Sequence, residues 1–175
     1  MKLNFGCGTN RIAGWNNHDA DVDITNRLPY ASESAGFVFA EHVVEHVTYA
    51  QALGFFAECH RVLRSGGICR IAVPSVERVM IHATPEYCEF TKKWAVERRN
   101  DVRGAMSAII FAHGHKQPWT LSLLQTSLFY AGFSRTDICA PGCSMHEQLR
   151  GVEGHGRVIG DEFNQIETIV VEATK

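Results

Sequence analysis

The stretch LNFGCGTN, Leu3–Asn10, decides how this chain is read. Lys2–Phe5 is short and apolar enough for a buried strand, and it runs straight into Gly6-Cys7-Gly8. Two glycines let a backbone turn tightly and approach a ligand closely. A fold that binds a pyrophosphate also places a helix N-terminus behind such a loop. Only about ten residues separate Gly8 from Asp19, at the end of the next strand candidate WNNHD, too few for a strand and a full helix. The spacing argues against a nicotinamide dinucleotide and for a ligand without phosphates.

Outward from that loop, GFVFA (36–40) is a third strand candidate, ending at Glu41-His42. Thr48 and Gln51 form a capping-box pattern. The helix it opens, YAQALGFFAECHRVLR, places Leu53, Phe56, Ala57, His60 and Leu63 along one side. It is expected to stop at Ser65-Gly66-Gly67, where a glycine can take the left-handed conformation. ICRIAV is a further buried strand, ended by Pro74. From Val76 to Trp119 the pattern is helical, with Thr84 as an N-cap and Pro85 at the first helical position. Tyr87, Phe90 and Trp94 make an aromatic stripe there, read as core packing. WTLSLLQTSLFYAGF gives another helix, closed by Gly132, and FSRTDICA and ETIVVEAT are the last strands. The segment 139–166, with only a short helical hint in MHEQLR, is expected to be loop. This order argues an α/β fold on a mainly parallel sheet.

The bulk properties narrow the partners. With 175 residues, 45% hydrophobic and 21% charged, the chain suits one domain, 1–175. A formal net charge of −2 suggests neither nucleic acid nor a membrane surface as partner. No apolar run has the length of a membrane span, and MKLNFGCGTN does not read as a signal peptide. The six cysteines form no C-x-x-C pair and read as reduced thiols of a cytoplasmic protein.

Ligands of open α/β sheets lie beyond the carboxyl ends of the strands, near the switch in strand order. Besides the glycine loop, three features fall there. Asp19 is placed to accept the hydroxyls of a ribose. Asp23 is placed to receive an amino group such as an adenine N6, with Leu28 and Tyr30 near enough to cover a ring. Glu41-His42 ends the third strand. His42, Glu45 and His46 also spell H-x-x-E-H, the pattern of the inverted zinc peptidases. Such a site needs a third ligand and an open position. No later glutamate carries a motif around it, so no metal is expected, and Glu45 and His46 are expected to pin the loop to the following helix.

These residues together resemble the class I S-adenosylmethionine-dependent methyltransferases. The likeness is greatest to a small bacterial branch reading LNLGCG, GWINVD, LPF, HVLEH, RVLKPGG and RIAVPD. This chain has LNFGCG, GWNNHD, LPY, HVVEH, RVLRSGG and RIAVPS in that order, and GHKQPWT and LLQTSLFYAGF also look like that branch. The resemblance implies a Rossmann-like sheet shortened at its first helices, with an antiparallel final strand and 76–119 as a helical acceptor-side insertion. It implies S-adenosyl-L-methionine as cofactor and S-adenosylhomocysteine as product. Phe5, Gly6, Cys7 and Gly8 would border the methionine end, Asp19 the ribose, Asp23 and Leu28 the adenine, and Glu41 and His42 the sulfonium. Asn4 stands where the larger family has Asp, and Asn10 where it has a third glycine; Asn tolerates the left-handed conformation. The missing first helix leaves one face of the sheet for the 76–119 segment or a partner subunit, as in a homodimer, to cover.

For an acceptor hydroxyl, a histidine base suits the reaction. His42 is the first candidate; His113 and His115, in AHGHKQPW, are the second. The acceptor is expected to be a small molecule. The cluster Lys92, Lys93, Arg98, Arg99 and Arg103 reads as a solvated face, and if functional would suit an anionic sugar. Two rival functions stand beside this one: a cofactor-binding protein without transferase activity, favoured by Asn4 and the short front end, and a zinc-dependent hydrolase through H-x-x-E-H.

Overall fold

In the computed structural model all 175 residues are described. Six strands, β1 (Lys2–Phe5), β2 (Asn16–His18), β3 (Ala35–Glu41), β4 (Leu63–Pro74), β5 (Arg135–Cys139) and β6 (Thr168–Thr174), form one sheet in the order β2-β1-β3-β4-β6-β5. β6 is antiparallel to both its neighbours, and the pairs from β2 to β4 are parallel. The chain leaves β1 to one side for β2 and returns to its other side for β3. The switch in strand order therefore lies at the carboxyl ends of β1 and β3.

The expected α/β sheet with a reversed final strand is present. Helix α1 (Tyr49–Val62) opens with the capping box, Thr48 and Gln51 each serving the other's backbone. α1 ends at Val62, earlier than expected. Gly66 does take a positive φ of 72°, but within β4, whose backbone is already paired at Leu63 with Ala35. Thr84 caps α3 (Pro85–Thr91), which follows α2 (Val76–His82) and precedes α4 (Val102–Phe111). α5 (Leu121–Tyr130) is capped by Thr120. The segment 139–166 is not all loop: it holds a short 3-10 turn, Glu147–Leu149, then α6 (Gly156–Ile159) and most of α7 (Asp161–Glu167). The apolar residues of α7 are few, and Ile166 finds its core only by packing against Val79, Tyr87 and Ile109.

Strand alternation splits the core in two. Leu3, Phe5, Val38, Ala40, Ile71, Val73 and Val171 point to the face covered by α1 and α5. Phe39 and Ile68 point to the opposite face, where Trp15, Leu149 and Val152 cover them. That second face is closed by the segment 140–153 of the chain itself, in place of the 76–119 helices or a partner subunit expected from sequence. The 76–119 helices instead build a separate small core at the carboxyl end of the sheet.

A charged cluster is buried under the covering segment. Arg70 of β4 is fully buried; its Nε donates to Glu153 Oε1 at 2.6 Å and its Nη1 to Glu172 Oε1 of β6 at 2.5 Å. Removing one member of a buried ion cluster leaves uncompensated charge, at a cost of about 3–5 kcal/mol. Arg70→Ala is expected to lower stability by about that amount, measured as the shift in urea unfolding midpoint at constant slope.

Candidate functional site

The carboxyl ends of β1, β2 and β3 bring the glycine loop, Asp19 and Glu41 to the switch point. Gly6 and Gly8 have φ of 65° and 46°. At Gly6 a Cβ would meet Val43 Cγ2 at 2.2 Å, so this glycine is required by contact with the chain itself; at Gly8 a Cβ would meet nothing within 4 Å. Cys7 N–H donates to the His18 carbonyl at 2.8 Å, which fastens the loop to β2. Asp19 is exposed, and its Oδ1 lies 3.4 Å from the Gly8 amide. A carboxylate open to solvent beside a glycine without a covering side chain matches the donor and acceptor needs of a ribose diol.

Asn4 is buried, and its amide donates to the Asn10 carbonyl at 3.0 Å and to Asn17 Oδ1 at 2.9 Å. Both contacts need a donor, so an aspartate here would face two acceptors. This position locks the loop shut and does not reach toward a ligand. Asn10 is not left-handed; its amide donates to the Val152 carbonyl at 2.8 Å and approaches Glu41 Oε2 at 3.4 Å.

The other expected residues are held by contacts within the chain itself. Phe5 has no exposed surface and stacks on His18 at 5.6 Å, leaving only its backbone for a ligand. Leu28 is 2% exposed and sits in the main core, so it cannot cover a ring from outside. Asp23 closes its own turn: Oδ1 accepts from Thr25 N at 2.9 Å and Oγ1 at 2.8 Å, and Oδ2 from Asn26 Nδ2 at 2.9 Å. Those bonds hold its carboxyl below the usual range. Tyr30 meets His18 Nε2 at 2.5 Å through its hydroxyl. Glu41 is at the switch point, yet its oxygens accept from Gly154 N at 2.7 Å and His155 N at 3.0 Å. The segment after Val152 thus crosses the end of β3.

His42, the next residue, turns to the other side of that crossing with φ of 51°. It lines a cavity of about 270 Å³ shared with His46, His113, His115, His155, Glu45, Glu167, Phe90 and Trp94. The aromatic stripe therefore divides: Tyr87 is core, while Phe90 and Trp94 face this cavity. His42 and His46 do not share a helical face. Only Val44–His46 forms a 3-10 turn, and the two histidines join different clusters.

The first cluster is His42, His155 and Glu167. His155 stacks on His42 with centroids 3.8 Å apart and bonds Glu167 Oε1 through Nε2 at 2.9 Å. Tyr87 donates to Glu167 Oε2 at 2.5 Å. Burial would raise the Glu167 pKa, but these two bonds and the nearby histidines bring it below the usual range. Burial and the charge of Glu167 push the Tyr87 hydroxyl far up. For His42, burial acts downward, and the close approach and charge of Glu45, with the charges of Glu167 and Glu41, overcome it, so its pKa is raised. The second cluster is Glu45, His46 and His115. Glu45 does not pin the turn to α1: its backbone carbonyl accepts from Lys116 N at 2.7 Å and Gln117 N at 3.1 Å.

His155 and Glu167 carried no local signal in the sequence; they reach the cavity only through the packing of α7 on the 76–119 helices. The basic cluster near it is a solvated face. Lys92 pairs with Glu89, Arg99 with Asp101, and Lys93 lies 3.9 Å from the Trp94 ring centroid.

Residues 16–71, under half of the chain, match a family model described as a methyltransferase domain. Among solved structures, a SAM-dependent methyltransferase from Thermotoga maritima, described as a possible histamine N-methyltransferase, is 18% identical with a TM-score of 0.60, covering 100% of this chain and 82% of that one. A SAM-dependent methyltransferase from Archaeoglobus fulgidus is 15% identical, TM-score 0.58, covering 99% and 85%. One from Mesorhizobium loti is 14% identical, TM-score 0.56, covering 100% and 90%. No curated protein matches the chain. The fold is that of the class I methyltransferases. No helix is long and apolar enough to cross a membrane.

Gly6→Ala puts its Cβ into Val43 and strains a left-handed backbone, so it is expected to destabilise by about 1–3 kcal/mol. Val43→Ala in the same chain relieves the contact but not the φ, and a partial recovery of the urea midpoint is the expected result.

Proposed function

We propose that the chain is an S-adenosylmethionine-dependent methyltransferase acting on a small molecule held in the histidine-lined cavity. The observation that carries this reading is the open Asp19 carboxylate beside Gly8 at the switch point of the sheet. The fold and the match of residues 16–71 support it. When bound, the cofactor supplies an electrophilic methyl group on a sulfonium.

Within this reading Asp19 holds the ribose hydroxyls, and the Gly6–Gly8 backbone lets the cofactor approach the end of β1. Glu41 stands at the border between cofactor and acceptor, where release of its bonds to Gly154 and His155 frees a carboxylate for the methionine amino group. His42, beginning where Glu41 ends, faces the acceptor side. Placement of an acceptor oxygen or nitrogen in line with the methyl is the main contribution to rate. His42 is the group placed to take a proton from an acceptor hydroxyl, and His115 lines the same cavity. Phe90 and Trp94 exclude water and offer flat apolar walls. The pairing of Lys92 and Arg99 favours an uncharged acceptor over an anionic sugar.

Calorimetric titration with S-adenosylhomocysteine tests the reading. Micromolar binding is expected, weakened at least tenfold, about 1.4 kcal/mol, in Asp19→Ala. Asp19 is exposed, so the variant is expected to fold. No binding by the unaltered protein, or equal binding by both, overturns it.

A further inference from the structure

One group in the cavity is only half satisfied by the chain itself. Glu45 is 1% exposed, and neither carboxylate oxygen receives a hydrogen bond. Its charged neighbour, His42 Nδ1, pairs with Oε1 at 3.4 Å, which leaves Oε2 with no partner at all. A buried carboxylate left like this is costly unless a cation completes it. By contrast, both oxygens of Glu167 are already taken by Tyr87 and His155. The second carboxylate is satisfied and the first is not.

The chain brings two imidazoles to Glu45. The bonds from Lys116 and Gln117 to the Glu45 carbonyl clamp the 113–117 loop against the turn, and the His46 and His115 rings come to 4.9 Å. A carboxylate oxygen of Glu45 and one ring nitrogen each of His46 and His115 lie within 4.8 Å of one another. His115 Nδ1 sits 2.6 Å from the Ile109 carbonyl. A carbonyl only accepts, so Nδ1 carries the proton and Nε2 keeps its lone pair. A histidine oriented in this way through its other nitrogen is the usual arrangement of a metal-ligating imidazole.

We infer that Glu45, His46 and His115 bind one first-row divalent transition-metal ion, with its remaining positions open to the cavity. Two imidazoles and one carboxylate suit zinc, ferrous iron and their neighbours over magnesium or calcium, which prefer all-oxygen sites. Bonds of about 2.0–2.2 Å require the three side chains to draw inward slightly, which rotation of exposed-side rings permits. His42 is not a ligand. It pairs with Glu45 Oε1 as a positioning residue, so the ligand set is not that of the H-x-x-E-H peptidases. An open metal position in this cavity would bind an oxygen or nitrogen of a small molecule. The ion site itself does not depend on the methyltransferase reading.

The test uses the full chain, free of any histidine tag, stripped with a chelator and titrated with Co2+ alone. A visible absorption that saturates at one Co2+ per chain, and that Zn2+ displaces, is the expected result. His46→Ala and His115→Ala are expected to weaken Co2+ at least tenfold, while His155→Ala leaves it unchanged. Circular dichroism and S-adenosylhomocysteine titration on the same variants show whether each still folds. Should His46→Ala unfold, His115→Asn, on the loop, carries the test. Absence of a saturating signal, its survival in a folded His115 variant, or its loss in a folded His155→Ala overturns the site. Cofactor binding is read separately, so failure of the metal site and failure of the methyltransferase reading are distinguishable.

Discussion

Arg70 is the point on which the rest of the structure turns. It lies on the face of the sheet that has no helix layer, and the sheet can be closed there only if that guanidinium is neutralised in place. Glu172, directly across from it in β6, supplies one partner. Glu153 supplies the other, and it belongs to the segment that lays Leu149 and Val152 over Phe39 and Ile68. Satisfying the buried charge and covering the exposed sheet are therefore one event. Buried ion clusters add little net stability compared with apolar packing, but they demand particular partners. Here that demand fixes where a long irregular segment must run.

The same event assembles the site. Glu153 is followed at once by Gly154 and His155, whose amides meet Glu41 at the end of β3. A side chain at 154 would strike Asn10, with a Cβ 2.7 Å from Asn10 Cγ. The anchored segment thus passes tightly between the glycine loop and the cavity, with Glu41 on one side and the His42–His155 stack on the other. Beyond it, α7 carries Glu167 to Tyr87 and joins the cavity to the small core of the 76–119 helices.

Much of the fold was legible along the chain because its signals are local. The capping box at Thr48 and the Thr84-Pro85 start of α3 each act within four residues, and both were readable. The end of α1 was not, because pairing of Leu63 with Ala35 draws those residues into β4 before the glycines are reached. α7 was invisible for a related reason: its amphipathic face is narrow, and its partner core is distant in sequence. In the site, Asp19, the glycines and Glu41 meet at the switch point because strand ends of an α/β sheet converge by topology. The side chains of Phe5 and Leu28 point into the core, a direction that proximity to that edge does not reveal. Asp23 has turn donors of its own, Thr25 and Asn26, on both oxygens.

The sequence by itself determined the order of the strands and of the helices up to α5, the tight glycine loop after β1, and the carboxylate at the end of β2. Periodicity and turn chemistry suffice for these, since each depends on neighbours in the chain. Tertiary structure alone decided which histidines meet. H-x-x-E-H suggested that His42 and His46 act together, yet a left-handed backbone at His42 and a 3-10 turn after it send them to opposite clusters. Their real partners, His155 with Glu167 and His115 with Glu45, come from segments brought in over the sheet end by a buried arginine, an antiparallel strand and two backbone hydrogen bonds. No spacing encodes such meetings, because they depend on where whole segments are forced to cross.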